Sequence, residues 1–376
     1  MLSLDRASGW LDTASEGGAT AAWPLNKKPF PKDLTGTIAE STILTKSQAV
    51  ATDTLSDVLK SVRLTGAAYF EILAHDPWSV HSPACDLILP RILPGADRLI
   101  AYHVVVSGRC FASLDGGEAV PVEAGEVVMF TNADPHVMSS GAGMRAEPPT
   151  ADMIDIAEAG LLPFQVNLTN GGAMSTRLVC GYLACDAKPF NPLLEALPPM
   201  LKAGDTRRND TGWLGQFIQF AVAEVADKRA GSESILTKLS ELMFIDVIRR
   251  YIETLPAHDN GWLAGLRDPA VGRALALIHA RPSFNWTIEG LARQCGVSRT
   301  VMAERFVRLV GQPPMQYLAK WRMQVAAEML NRGNVNMATI AAEIGYESEA
   351  AFSRAFKKMT GITPSAWRQG ARQAAR

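Results

Sequence analysis

The sequence lacks any apolar stretch near the roughly 20 residues that cross a bilayer. Its longest apolar runs sit in "HVVVSG" and "EVVMF", so neither a transmembrane segment nor a membrane partner is expected. The opening "MLSLDRASGWLDTASEGGATAAWPLNKKPFPKD" lacks the basic start and apolar core of a secretory signal, and a cytoplasmic location is expected. Residues 1–53 are rich in Gly, Ala, Ser, Thr and Pro without helical or strand periodicity and read as a flexible extension. Cysteine is scarce: Cys85, Cys110, Cys180, Cys185 and Cys295 are an odd count at irregular spacing, which argues for reduced thiols over a disulfide framework.

A large net charge is also missing. The 376 residues carry 37 Lys plus Arg against 38 Asp plus Glu, but the balance is uneven along the chain. From Trp262 onward there are 16 basic and 7 acidic residues, a charge of +9; the rest of the chain carries −10. A basic terminal segment suits a polyanion, which an acidic remainder would repel. The length itself points to two domains.

What is present divides the chain further. In "TLSDVLKSVRLTG", Leu55, Val58, Leu59 and Val62 share one helical face, so folding is expected to start near residue 54. From 67 to about 186, short apolar or alternating runs such as "LIAYHVVVSG" and "STRLVCGYLAC" are punctuated by Gly, Pro, Asn and Asp, as in an all-β unit. A helical segment is expected over 191–256. Its "SILTKLSELMFIDVIRRYIETL" lines up Leu236, Leu239, Met243, Val247, Ile248 and Tyr251, a stripe that suits packing on the β unit or a homodimer seam. "PAHDNGWLAGLRDP" has linker composition, and a linker is expected over 257–269.

The last segment repeats itself. "LARQCGVSRTVMAERF" (291–306) and "IAAEIGYESEAAFSRAF" (340–356) each read as helix, turn, helix. In the first copy Thr287 and Ser298 are the caps, Gly296 takes the turn, and Leu291, Ala292, Val297, Met302 and Phe306 form the core. The second copy uses Ile340, Ala341, Gly345, Tyr346, Phe352 and Phe356, with a turn one residue longer and a helix starting at Ser348 or Glu347. Between them "PMQYLAKWRMQVAAEMLNRG" reads as a long helix from Pro314 to a stop at Gly333. Two such units on one rod suit successive major-groove faces of a duplex, about 34 Å apart.

Segment 270–370, including "FKKMTGITPSAWR", resembles the DNA-binding domain of the AraC/XylS transcriptional regulators. The resemblance implies DNA-facing roles for Arg299, Thr300, Ala303 and Glu304 in the first recognition helix, and for Glu349, Ala350, Ser353 and Arg354 in the second, with Lys357 and Lys358 facing outward beside them. Glu304 departs from the basic residue that some relatives carry there. It can accept from cytosine N4 or pair with Arg308 at i, i+4, and the pairing is favoured.

A second resemblance covers residues 54–190. "HVVVSGRCFASLDGGEAVPVEAGEVVMFTNADPH" is similar to the cupin-type sensor domains of that regulator family. His103 and His136 stand where two cupin metal ligands would be, but the paired His-x-His and its following Glu are missing. Cys180 could join them in a partial zinc or copper site; polar core or pocket histidines are the other reading. Cys180 and Cys185 read either as inert buried thiols or as a redox switch.

The expected fold class is therefore α+β multidomain: a cupin-like β-barrel with a helical segment, then an all-α tandem helix-turn-helix domain. The expected function is a sequence-specific DNA-binding transcriptional regulator, an activator by analogy, whose cupin half senses a small effector. Double-stranded DNA, RNA polymerase and a second copy of the chain are the expected macromolecular partners, and no catalysis is expected. The alternatives are a cysteine- or metal-based redox sensor and a cupin metalloenzyme with an appended DNA-binding module.

Overall fold

The strand-like stretches assemble into two sheets facing each other. The structure, a computed structural model, describes residues 54–61, 64–84, 98–146, 164–168, 171–185, 189–204, 216, 219–221, 223–224, 230–256, 260–333 and 335–374. The extension expected over 1–53 lies outside the described residues. The first sheet has the order β10-β6-β3-β9-β1-β8, from β1 (Leu64–His75), β3 (Arg98–Ser107), β6 (Val127–Phe130), β8 (Phe164–Leu168), β9 (Met174–Cys185) and β10 (Met200–Ala203). The second has the order β2-β7-β4-β5, from β2 (Ser79–Ser82), β4 (Arg109–Leu114), β5 (Val120–Glu123) and β7 (His136–Ser139). Among the described residues the two sheets are not closed into a continuous barrel, yet they enclose one core as a cupin does.

The near-continuous apolar run of β3 has a physical reason: its sheet is covered on both faces. Ala101 and Val105 point between the sheets, beside Leu178, Cys180, Phe130 and Met138. Tyr102 and Val104 point the other way, beside Met243, Phe244 and Val247 of α3 (Ser232–Thr254). The Tyr102 hydroxyl meets Ser240 Oγ at 3.1 Å. The apolar stripe of α3 thus packs on the β unit, while Ile235 and Leu242 of the same helix remain 39% and 49% exposed.

Two expectations need correction. The segment 191–256 is not helical throughout, because after α2 (Pro192–Ala196) the chain adds β10 to the first sheet, Met200 opposite Phe130. Nor is 257–269 a free linker. Residues 262–267 form helix α4 (Trp262–Arg267), with Trp262 and Leu263 buried, and the Asp268-Pro269 pair is a cap and first residue of α5 (Pro269–Ala280). Asp268 accepts from the backbone N–H groups of Ala270 and Val271.

The doubled segment forms as its caps dictate. α6 (Ile288–Gln294) is capped by Thr287 and α7 (Arg299–Val310) by Ser298; α9 (Met337–Glu343) is capped by Asn336 and α10 (Glu349–Thr360) by Ser348. The rod α8 (Pro314–Arg332) has 19 residues, about 28 Å at 1.5 Å per residue. α11 (Pro364–Ala374) closes the domain.

The described elements fall within one unit running from Thr52 to Arg376. α1 (Thr54–Ser61), expected with the β unit, packs on α2, α5 and α8 instead. Phe190 N–H donates to Gln324 Oε1 of the rod at 3.1 Å, and its ring meets Tyr317 edge-on at 5.6 Å. The buried Tyr317 hydroxyl in turn bonds Trp262 Nε1 at 3.0 Å and His279 Nε2 at 2.8 Å.

Candidate nucleic-acid interface and sensor core

Both recognition helices bury one face and leave the other to solvent. On α7, Met302 and Phe306 are fully buried against α4, α5, α6 and α8. Arg299, Thr300, Glu304 and Arg308 are exposed, and Ala303 is half-buried at the edge of that face. On α10, Phe352 and Phe356 turn inward, whereas Glu349, Ala350, Arg354, Lys357 and Lys358 are exposed and Ser353 is half-buried. All ten residues expected to face DNA therefore lie on the open sides of the two helices or at their edges.

The charges differ between the two. On α7, Arg299 Nε is 3.0 Å from Glu289 Oε1, and Arg305 Nη1 is 3.7 Å from Asp268 Oδ2. The favoured Glu304–Arg308 pair does not form, and among the described residues Glu304 has no ionic partner. An exposed i, i+4 pair gains only tenths of a kcal/mol, too little to hold two long side chains together. Arg354, Lys357 and Lys358 of α10 have no carboxylate partner among the described residues. Sequence reasoning passed over Val301 and Val307, which are 36% and 44% exposed on α7. Their signal is an apolar residue on a helix face that is otherwise polar.

In the sensor half, strand register brings the three other candidates together. His103 pairs with Cys180 across β3 and β9, and His136 reaches them from β7 in the facing sheet. His136 Nδ1 donates to the Asp134 carbonyl at 2.7 Å, which leaves its Nε2 as an acceptor. His103 Nε2–H then donates to His136 Nε2 at 2.8 Å, and His103 Nδ1 accepts from the Cys180 thiol at 3.0 Å. Phe130 stacks on His136 with ring centroids 3.7 Å apart. All three groups are neutral in this chain of bonds. Burial, then the neighbouring His136, holds His103 well below the ordinary histidine value. Burial lowers His136 to about 4, opposed by its bond to the Asp134 carbonyl and assisted by His81. Burial also pushes the Cys180 thiol well above its ordinary range, the reverse of an activated cysteine.

The partial metal site does not fit this geometry. Cys180 lies on the Nδ1 side of the His103 ring and His136 on the Nε2 side, so no single point serves all three donors. Among the described residues no group of three His, Cys, Asp or Glu side chains gathers to hold a metal ion. The cluster is instead a buried polar link between the two sheets. Elsewhere, a cleft of about 510 Å³ is lined by Asp76, Gly108, Arg109, Glu123, Ala124, Ser140 and Ser175.

A cupin-like pair of sheets joined to tandem helix-turn-helix units is the architecture of a DNA-binding transcriptional regulator. The chain matches a Cupin family model over residues 53–253 and a helix-turn-helix domain model over residues 291–370. It is 30% identical over 328 residues to an AraC-like transcription regulator of Streptomyces lividans, covering 84% of this chain and 98% of the relative. It is 28% identical over 321 residues to the transcriptional regulator AlkR of Acinetobacter baylyi, covering 84% and 99%. Among solved structures it is similar to ToxT of Vibrio cholerae O395, at 11% identity and a TM-score of 0.31, with 83% of this chain and 98% of that one covered. The chain belongs to the AraC-like transcription regulators.

Proposed function

We propose that this regulator reads two successive major-groove faces of one duplex. α7 enters through Arg299, Thr300, Ala303 and Glu304, and α10 enters through Glu349, Ala350, Ser353 and Arg354, with Lys357 and Lys358 on flanking phosphates. The observation that carries this reading is that both helices keep their polar faces clear of the sensor half. Glu304, unpaired, is repelled by phosphates and suits an amino group at a base edge, such as cytosine N4. Exposed Val301 and Val307 suit thymine methyl groups beside it.

The domain division follows as a sensor over 54–190, a segment over 191–256 that adds β10 and α3 to it, and a DNA-binding domain from about 260 onward, with the joint at Phe190 and α2. A small effector acts on the sensor half, and the charged cleft beside Arg109 suits a small polar molecule. It alters DNA affinity by favouring one arrangement of the joint. A second copy of the chain docks on Ile235 and Leu242 of α3, and RNA polymerase is the partner at the promoter, where the protein activates. A cytoplasmic location fits a DNA target, and among the described residues no helix is long and apolar enough to cross a membrane. No reaction is assigned, in keeping with relatives named as transcription regulators.

Selection of binding sites from random duplexes, followed by a salt titration, tests the reading. A bipartite motif is expected, with affinity falling steeply as salt rises because bound cations release counterions. Failure to enrich any sequence over random duplex would defeat it.

A further inference from the structure

Two recognition helices can read one duplex only if something fixes their separation and angle. A rod alone does not: a helix can turn about its own axis relative to what hangs from it. The middle of α8 carries a device that removes this freedom. Arg322 leaves the rod and donates from Nε to the Pro282 carbonyl at 2.7 Å and from Nη2 to the Phe284 carbonyl at 3.0 Å. Those carbonyls belong to the loop between α5 and the Thr287 cap that starts the first unit. The same guanidinium lies 5.9 Å from the ring centroid of Tyr346, in the turn of the second unit.

The two units also touch directly at this point. Gly345 has φ of +78°, and a Cβ there would stand 2.5 Å from the Ser283 carbonyl oxygen and 2.7 Å from Arg322 Nη2. Glycine is therefore required twice over, by the left-handed turn and by backbone of the other unit. Tyr346 continues the line inward, its ring 6.2 Å from Phe352 of α10. Loop, rod and second turn converge on one planar fork whose donors have fixed directions.

We propose that Arg322, working with Gly345, is the positioning residue that locks the two helix-turn-helix units at one separation and angle, and so sets the half-site spacing the protein accepts. This rests on the two-groove reading above. The side chain touches no base. It acts through the loop that carries α6 and α7 and the turn that carries α10.

The test uses full-length protein and the operator it selects from random duplexes. Binding is measured to that operator, to versions with one or two base pairs added or removed between the half-sites, and to each half-site alone. One added base pair turns the second half-site by about 35° around the duplex. Wild-type protein is expected to lose about tenfold or more in affinity with each such change. Arg322→Met removes the fork but keeps the length of the side chain. It is expected to bring the spacings to within about threefold of one another and to leave isolated half-site binding within about twofold of wild type. Gly345→Ala, which keeps Arg322 and wedges the contact open, is expected to shift or flatten the preference in the same way; Arg322→Lys is expected to restore part of it. Unaltered spacing preference in both Arg322→Met and Gly345→Ala would overturn the lock alone. Loss of half-site binding in step with the preference would reduce Arg322 to a folding residue, which also overturns it. A wild-type protein indifferent to spacing would overturn both the lock and the two-groove reading.

Discussion

The two helix-turn-helix units share a plan but not a core. The first unit is fused to the rest of the molecule: Leu291, Ala292, Met302 and Phe306 belong to one continuous apolar cluster with Tyr317 of the rod, Phe190 of the joint and Val104 of the sheet. The second has a small cluster of its own, Ile340, Ala341, Ile344, Phe352 and Phe356 around Ala326, Ala327 and Leu330. A displacement in the sensor half therefore reaches α7 through packed side chains. It reaches α10 through the rod, through Met359, which packs against both clusters, and through the Arg322 contact. The charge pattern follows the same division. α7 has two of its arginines held by carboxylates and Glu304 on its open face, whereas α10 offers three cations without ionic partners among the described residues. The first unit is the one packed into the rest of the molecule; the second carries the more strongly cationic open face.

The sharpest way to break this comparison is to empty the small core. Phe352→Ala is expected to cost about 3 to 5 kcal/mol of stability in the second unit. Native-state hydrogen exchange should show amides of 337–374 losing protection while those of β3 and β9 keep theirs. Equal loss in both regions would mean that the second unit is not separately cored. Next in size, Arg354→Ala is expected to weaken specific binding by about 1 to 3 kcal/mol, measured against the selected operator; wild-type affinity would remove Arg354 from the interface.

A comparable effect is expected in the sensor and the joint. His136 is lowered to about 4 and His279, buried against Trp321 at the joint, to about 3, both by burial first. Their folded values lie below the unfolded value near 6.5, so the stability tied to the neutral rings is fully present above about pH 6.5. It is lost as pH falls toward 4 and 3, because the unfolded chain binds protons that the folded chain refuses. Thermal unfolding followed from pH 7.5 to 4.5 should show a falling midpoint, shallower in His136→Phe. A flat profile would mean these rings are not held neutral. Smallest is the joint change Lys357→Gln and Lys358→Gln, expected to lower affinity evenly across sequences and reduce the salt slope by about 1 per residue. A change in base preference would instead move these lysines onto base edges.

Much of the DNA-binding half was legible because its signals are local. Thr287, Ser298 and Ser348 cap helices by accepting from N–H groups three residues on, and such bonds need no distant partner. The misread stretch 257–269 shows the limit. Pro, Gly, Asp and Asn there look like a loop until Trp262 meets Tyr317, a partner 55 residues away. β10 is four residues long, too short to carry a period, and exists because Met200–Ala203 finds the edge of β6. The histidine cluster was half legible. Residue type marked His103, His136 and Cys180, but only the register of β3 on β9 decides that Cys180 meets the Nδ1 side of His103, away from His136. Arg322 gave no sign in the sequence, since its partners are backbone carbonyls about 40 residues earlier.

The most direct measurement is guanine N7 methylation interference with full-length protein on its selected operator. Two interference patches in the major groove, on the same face of the duplex and about 10 base pairs apart, are expected if α7 and α10 both enter it. A single patch, or two patches on opposite faces, would contradict the engagement of one duplex by both helices.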